Sequence, residues 1–184
     1  MMNAHLKILS VTTTAVLWLA LACFAPSFAD AQASGEYQVK AAFLYNFAKF
    51  VEWPESAFPE PGMPFAICVI GDDLFGGALD GLRAKTVKNR KVVVKRISGP
   101  SETGGCHVLF ISQADEDRVN DLLLSLKGRP ALVVGDTERF VRRGGMIGFF
   151  MERNKVVFEI NENAAKKAGL QISSQLLKLS RTVY

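Results

Sequence analysis

Apolar residues along the chain fall into short runs and longer helical patterns. Four short, mainly apolar runs bounded by turn-forming residues predict buried strands over 65–70, 92–97, 106–111 and 131–134. Between them, the segment 74–82 predicts a short helix, and Ser112 is available to cap a clearer one. The apolar residues of that helix recur at helical spacing: Val119, Leu122, Leu123 and Leu126. Because strands alternate with helices, we expect a single three-layer α/β domain with a mostly parallel sheet between helices.

The segment after the fourth strand predicts an antiparallel addition to this sheet. One helical turn is expected over Thr137–Arg142. Residues 146–151 and 155–160 then predict a hairpin across Arg153-Asn154, which lie between the two apolar runs. The second strand of this hairpin is expected to form an antiparallel edge.

Two short helices are predicted to close the chain. Asn161 is expected to cap the first, and Gly169 to end it. Ser173 or Ser174 is expected to open the second. Four apolar side chains are expected to face inward from this last segment: Ile172, Leu176, Leu179 and Val183.

The stretch KAAFLYNFAKFVEWP, from Lys40 to Pro54, predicts an unusually apolar helix. Ser34 is a candidate N-cap for it, and Pro54 ends it, because the residue before proline avoids the α region. A helical projection gives two adjacent apolar stripes, one of Val39, Phe43, Phe47, Phe50 and Val51, the other of Ala41, Leu44 and Ala48. The first stripe is expected to pack on the sheet. The second either packs inside the same domain or faces a second subunit or a partner.

The first 33 residues have the three parts of a secretory signal peptide. Lys7 precedes an apolar segment over 8–25, and small residues after Pro26 offer cleavage sites. We therefore expect a cleaved signal peptide over 1–33 and a mature domain over 34–184 in the periplasm, without a membrane span. A retained membrane anchor and lipidation at Cys23 are the alternatives.

Composition and charge narrow the class of protein further. The chain of 184 residues is 49% hydrophobic with a net charge of +4, which is ordinary for a globular protein. Nucleic acids are scarce outside the cytoplasm, so a solvated loop is expected for the basic run over 83–91, with an acidic partner or anionic lipid as the alternative. Cys68 and Cys106 remain after export, and in an oxidising compartment a single disulfide is favoured.

The residues that could carry chemistry are few. His107 is the one histidine after the signal segment, and its apolar strand favours a packing role. The sequence holds no G-x-S-x-G, H-E-x-x-H or G-x-G-x-x-G motif. Asp72-Asp73 and Asp136 follow predicted strands and could hold Mg²⁺, but capping and solvation of loops are favoured for them. We therefore expect no catalytic residue, no metal and no cofactor.

Four blocks of the sequence occur in order between Tyr37 and Val183: VKAAFLYNFAKFVEWP, ICVIGDD, CHVLFIS and GGMIGFFMERNKVVFEINENAAKKAGLQISSQLLKLSR. These blocks resemble those of the YfiR-like family of exported bacterial proteins. The resemblance implies an α/β protein that dimerises. It also implies a disulfide between Cys68 and Cys106. A second cysteine pair found in some members is missing here.

The resemblance implies a function in signalling rather than catalysis. Well-understood members bind the outer part of an inner-membrane diguanylate cyclase and hold it inactive, which lowers cyclic-di-GMP. The alternative is a periplasmic module that binds a small ligand for another signalling or transport system. The residues expected to contact a partner lie on the opening helix and on the last one: Ala41, Leu44, Tyr45, Ala48, Lys49 and Leu177.

Overall fold

A computed structural model describes residues 28–112 and 116–184, with side chains placed for 35–112 and 119–184. Residues 1–27, which hold most of the predicted signal peptide, lie outside the described residues. The segment Ser34–Tyr184 forms a compact unit. Among the described residues, no helix combines the length and the apolar character that crossing a membrane would require.

Four α-helices and nine β-strands make up the described part of the chain. The helices are α1 (Phe28–Phe50), α2 (Glu116–Ser125), α3 (Glu162–Lys167) and α4 (Ser174–Leu179). The strands are β1 (Val51–Glu52), β2 (Phe65–Ile70), β3 (Thr86–Val87), β4 (Arg90–Ile97), β5 (Val108–Ile111), β6 (Leu132–Gly135), β7 (Ile147–Glu152), β8 (Lys155–Ile160) and β9 (Gln171–Ile172). Short 3₁₀ helices occupy Glu55–Ala57, Gly76–Leu82, Pro100–Glu102 and Phe140–Arg143.

Seven of these strands form one sheet in the order β3-β4-β2-β5-β6-β7-β8. The pairs from β4 through β7 are parallel, whereas β3 and β8 run antiparallel to their neighbours. This arrangement confirms the mixed α/β class and the antiparallel edge. The strands β2, β5 and β6 are buried at every position, which is why unbroken apolar runs encode them.

Helices cover both faces of the sheet. Phe47 of α1 lies over Phe149 of β7 and Phe158 of β8, with ring centroids 5.5 and 5.0 Å apart. On the other face, Leu126 just after α2 lines a cleft together with Val133 of β6. Val134 of β6 pairs with Ile147 of β7, and side chains alternate along a strand, so Val133 and Phe149 point to opposite faces of the sheet. The helices α1 and α2 therefore lie on different sides of it.

The turns and caps follow the predicted residue types. Arg153 and Asn154 both have positive φ, as a two-residue hairpin turn requires. The Asn161 side chain accepts a hydrogen bond from the Ala164 amide, and Ser173 does the same for Leu176. These contacts confirm Asn161 and Ser173 as the N-caps of α3 and α4.

Several sequence predictions about element limits are wrong. α1 begins at Phe28, so Ser34 lies inside the helix rather than capping it; the alanines at 29, 31 and 33 favour this extension. The expected helix over 74–82 is a 3₁₀ helix. Leu179 and Val183 were expected to face inward, but they are 70% and 44% exposed, and the chain at Val183 lies beside Ile160 of β8. The basic run over 83–91 contains β3 and a turn onto β4 rather than a plain loop.

Phe140 explains the glycines on either side of it. A Cβ atom on Gly135 or on Gly145 would overlap the Phe140 ring, which is fully buried. The ring therefore occupies space that only glycine leaves open at both positions. Gly145 therefore serves to admit the Phe140 ring.

Candidate functional site

The opening helix α1 buries one continuous face against the sheet. Tyr37, Ala41, Leu44 and Ala48 lie on this face at helical spacing, and Leu44 is 0% exposed. Ala41, Leu44 and Ala48 were predicted to contact a partner, and the structure places all three in the hydrophobic core instead. The prediction is wrong for these residues because the stripe of small residues packs within the domain.

The other predicted partner contacts remain reachable from solvent. Lys49 is exposed, and its ammonium group lies 5.6 Å from the centre of the Tyr45 ring. The Tyr45 hydroxyl donates a hydrogen bond to the Thr86 carbonyl at 3.1 Å, which holds the ring against the β3 segment. Leu177 of α4 is half-buried against the core. A partner role for Tyr45, Lys49 and Leu177 stays a prediction.

The solvent-facing side of α1 carries a shallow groove of about 310 Å³, called here the outer groove. Its lining residues are Gln38, Val39, Ala42, Phe43 and Asn46. Val39 is 45% exposed although it was predicted to face the sheet. Phe43 is partly buried, and its ring packs on Phe149 and Phe158 at 5.8 and 5.4 Å. The outer groove is thus an uncharged, apolar surface on a rigidly anchored helix.

A buried ion pair anchors α1 above the end of β6. The Lys40 ammonium lies 2.6 Å from Oδ2 of Asp136, and both side chains are 3% exposed. Lys40 also pairs with Glu36 at 2.6 Å and lies over the Tyr37 ring. The Tyr37 hydroxyl donates to the same Asp136 oxygen at 2.7 Å. Burial first, and then the bond to Asp136, raise the pKa of Tyr37 above its usual range, so the phenol stays protonated.

The carboxylates proposed as a metal site do not converge. Asp136 is held by Lys40 and Tyr37, whereas Asp73 pairs with Arg96 and accepts a hydrogen bond from the Phe75 amide. Asp72 is exposed. Within the described part of the chain, no three His, Cys, Asp or Glu side chains come together as metal ligands. Asp73 therefore caps a turn, as favoured from the sequence.

The ends of β5 and β6 leave three buried polar atoms without a hydrogen-bond partner among the described residues. These atoms are Ser112 Oγ, Asp136 Oδ1 and Thr137 Oγ1. Ser112 and Asp136 follow Ile111 and Gly135, which are paired in the parallel ladder, so they lie on neighbouring strand ends. Buried polar groups in folded proteins nearly always have a hydrogen-bond partner, which is either protein or bound water.

His107 has a structural role at the start of β5. Its Nδ1 accepts a hydrogen bond from the Ala66 amide, and Nε2 lies 3.0 Å from the Ala57 carbonyl oxygen, to which it donates. The ring stacks on Phe58 and also on Phe65, with centroid distances of 4.3 and 4.9 Å. Burial lowers the pKa of His107, and the neutral tautomer satisfies both neighbours. This agrees with the packing role favoured from the sequence.

Cys68 of β2 and Cys106 form a disulfide with their Cα atoms 5.8 Å apart. Cys106 lies two residues before β5, so the bond ties the segment entering β5 onto the neighbouring strand. Both cysteines are buried in the core. The bond agrees with the pairing expected from the sequence and fits an oxidising compartment.

The sequence analysis did not identify Lys40 and Tyr37 as the side chains that anchor α1 to Asp136. Lys40 was treated as the edge of an apolar helix, and its partner Asp136 lies 96 residues further along the chain. The available signal was the Glu36-x-x-x-Lys40 spacing, which suits an ion pair along one helix face. That spacing does not show that the pair is buried.

These features define a class of protein: a disulfide-bonded, three-layer α/β domain whose anchored first helix presents an apolar surface. The sequence profile of the YfiR/HmsC-like family, DUF4154, matches residues 37–181, and the chain belongs to this family.

Two solved structures are similar to part of this chain at low sequence identity. A conserved domain protein from Vibrio cholerae O1 biovar El Tor is 12% identical with a TM-score of 0.48, over 71% of this chain and 57% of that one. The ABC domain in complex with L-Trp from Streptococcus pneumoniae is 11% identical with a TM-score of 0.47, over 65% and 55%. The present chain therefore spans little more than half the length of either.

Proposed function

We propose that this protein is a non-catalytic periplasmic repressor of an inner-membrane diguanylate cyclase. The observation that carries the proposal is the family match over residues 37–181, which covers nearly all of the predicted mature domain. The buried disulfide supports an exported location. Repression requires that the protein binds the inactive state of the cyclase more tightly than the active state. A differential affinity of a few kcal/mol silences a two-state receptor almost fully.

The outer groove of α1 is the proposed contact surface for the periplasmic part of the cyclase. Its apolar side chains, Val39 and Phe43, are flanked by the amides of Gln38 and Asn46, which gives the apolar centre and polar rim typical of interfaces. Tyr45 and Lys49 lie close by on the same helix and extend this surface. Because the opposite face of α1 is fully packed, binding here needs little reordering of the helix.

The first experiment measures cyclic-di-GMP in a strain that lacks the gene. Deletion is expected to raise cyclic-di-GMP and to promote surface attachment. Unchanged cyclic-di-GMP under several growth conditions would remove the repressor proposal. A neighbouring gene for a membrane protein with a periplasmic sensor and a GGDEF-type output would identify the partner to test.

The second experiment locates the surface with matched variants. Val39→Glu is expected to behave like the deletion while the protein stays folded and exported, because Val39 faces solvent. The control is Leu179→Glu, which alters an equally apolar side chain that is 70% exposed elsewhere. Leu44→Glu is unsuitable for this purpose, since it buries a carboxylate in the core and is expected to unfold the domain. Full repression of the cyclase by the Val39→Glu protein would show that the contact surface does not lie on the outer groove of α1.

A homodimer also belongs to the proposed function, since members of the family dimerise. Sedimentation of the oxidised mature protein at several concentrations tests it directly.

A second candidate function, a periplasmic module for a small ligand, is favoured by a separate cleft on the α2 side of the sheet. The two functions are distinguishable because the first needs a membrane partner and the second does not.

A further inference from the structure

A deep cleft lies between α2 and α3, on the side of the sheet away from α1. It has a volume of about 590 Å³, within the range of small-molecule sites. Its floor is formed by Leu126, Val133 and Met146, which are buried yet reach the cleft surface. None of these residues takes part in the surface proposed for the cyclase.

The mouth of the cleft exposes apolar side chains to solvent. Leu124 is 69% exposed although leucine gains free energy from burial. Leu123 and Ala164 form partly buried walls on the two sides. An apolar body placed between them would cover surface that water now contacts.

Two lysines at the cleft give it a positive rim. Lys127 and Lys167 are exposed lining residues, and neither makes an ion pair with a described residue. The neighbouring Lys166, by contrast, is paired with Glu162 at 2.9 Å. The lining side chains that the structure places include no Asp or Glu. A ligand with one negative charge would therefore meet two ammonium groups in a lining that contains no aspartate or glutamate side chain among those placed.

Backbone hydrogen bonds fix the wall formed by Tyr184. Its amide donates to the Ile160 carbonyl at 2.8 Å, and its carbonyl accepts from the Glu162 amide at 3.0 Å. Asn161, on the same side of the cleft, donates to the Val141 carbonyl and accepts from Ala164. The cleft is thus formed before any ligand arrives, which lowers the entropic cost of binding.

We propose that this cleft binds an amphiphilic monoanion, an apolar chain or ring that carries a single carboxylate or sulfonate. The apolar body lies on Leu126, Val133 and Met146, and the anionic head is placed at Lys127 and Lys167. A free phosphate does not fit this chemistry, because it has no apolar body to cover the floor of the cleft. The proposal is independent of the cyclase, since it concerns the purified protein alone.

The experiment uses the oxidised mature protein and two probes. Anilinonaphthalene sulfonate reports occupancy by fluorescence, and decanoate is then titrated to displace it. Decanol tests the same apolar body without charge, and decyltrimethylammonium tests it with the opposite charge. Displacement by decanoate, at least fivefold weaker displacement by decanol and none by the cation are expected. Equal displacement by all three, or none by decanoate, would overturn the proposal.

Charge-reversal variants locate the site. Lys127→Glu/Lys167→Glu is expected to weaken decanoate binding at least tenfold, whereas the control Lys155→Glu/Lys178→Glu changes it less than twofold. If the double reversal impairs folding, Lys127→Gln/Lys167→Gln is expected to remove the salt dependence of decanoate binding and to leave decanol unaffected. Unchanged decanoate affinity in a folded variant of either kind would refute the assignment. An acidic amphipathic peptide that binds where decanoate does not would refute it as well.

Discussion

The buried pair of Lys40 and Asp136 gives the sharpest test of how α1 is held. Lys40→Met keeps the length and the apolar stem of the side chain but removes its charge. Asp136 would then remain buried with the Tyr37 hydroxyl as its one described donor. We expect Lys40→Met to lower the free energy of unfolding by about 3–5 kcal/mol, the usual cost of removing one partner from a buried pair.

A double variant separates the stabilisation that the ion pair provides from the free-energy cost of burying each charge. In Lys40→Met/Asp136→Leu both charges are gone, and the main remaining loss is the acceptor of the Tyr37 hydroxyl. Leaving that hydroxyl unpaired costs about 1–3 kcal/mol. The double variant is therefore expected to be more stable than Lys40→Met, although it carries one more substitution.

Urea denaturation followed by circular dichroism measures both variants. The midpoint should fall for Lys40→Met without a change in the denaturant dependence, because the extent of folding is unchanged. Lys49→Met is the matched control, since Lys49 is exposed on the same helix, and it should stay within about 0.5 kcal/mol of the parent. A loss below about 1 kcal/mol for Lys40→Met would show that Lys40 is solvated and that α1 is anchored differently.

Three further predictions concern other parts of the domain. Cys68 and Cys106 are 38 residues apart, so reducing their disulfide should lower the free energy of unfolding by about 3–4 kcal/mol through the added entropy of the unfolded chain. An unchanged melting temperature in dithiothreitol would contradict this prediction. The pKa of His107 is lowered on folding, so below about pH 6.5 the unfolded chain binds more protons than the folded one. The free energy of unfolding should therefore fall as pH drops below about 6.5, by at most about 1.4 kcal/mol per pH unit. His107→Gln should make stability less dependent on pH in this range. Gly145→Ala should cost about 1–3 kcal/mol by overlap with Phe140, and adding Phe140→Leu should recover part of that loss.

The parallel core was predictable because its sequence signal is local. β2, β5 and β6 are covered on both faces, so each is an unbroken apolar run between turn residues. The hairpin of β7 and β8 and the caps Asn161 and Ser173 were equally visible, since each depends on a few adjacent residues. Two-residue strands such as β1 and β9 carry no such signal, because their pairing joins residues 121 positions apart, as Val51 and Ile172 show.

The candidate site was harder to predict because its determinants are distant in sequence. Periodicity showed that α1 is apolar over much of its surface, but it could not show which stripe the sheet would take. The sheet takes Leu44 and Ala48 together with Phe47, and the charge of Lys40 is accepted there only because Asp136 is present. Val39 is consequently turned to solvent, where a partner can reach it.

The two proposed binding surfaces lie on opposite faces of one sheet, and this has a consequence for regulation. A ligand in the cleft beside Lys127 cannot touch a partner seated on Val39, so it cannot compete with that partner by direct overlap. Any influence must pass through the domain, and it must be reciprocal, because the ligand changes the partner's affinity by the same factor as the partner changes the ligand's. Decanoate affinity measured with and without the periplasmic part of the cyclase tests this. Independent binding is expected if the sheet is rigid, and mutual exclusion would mean that the cyclase contact extends to the α2 side.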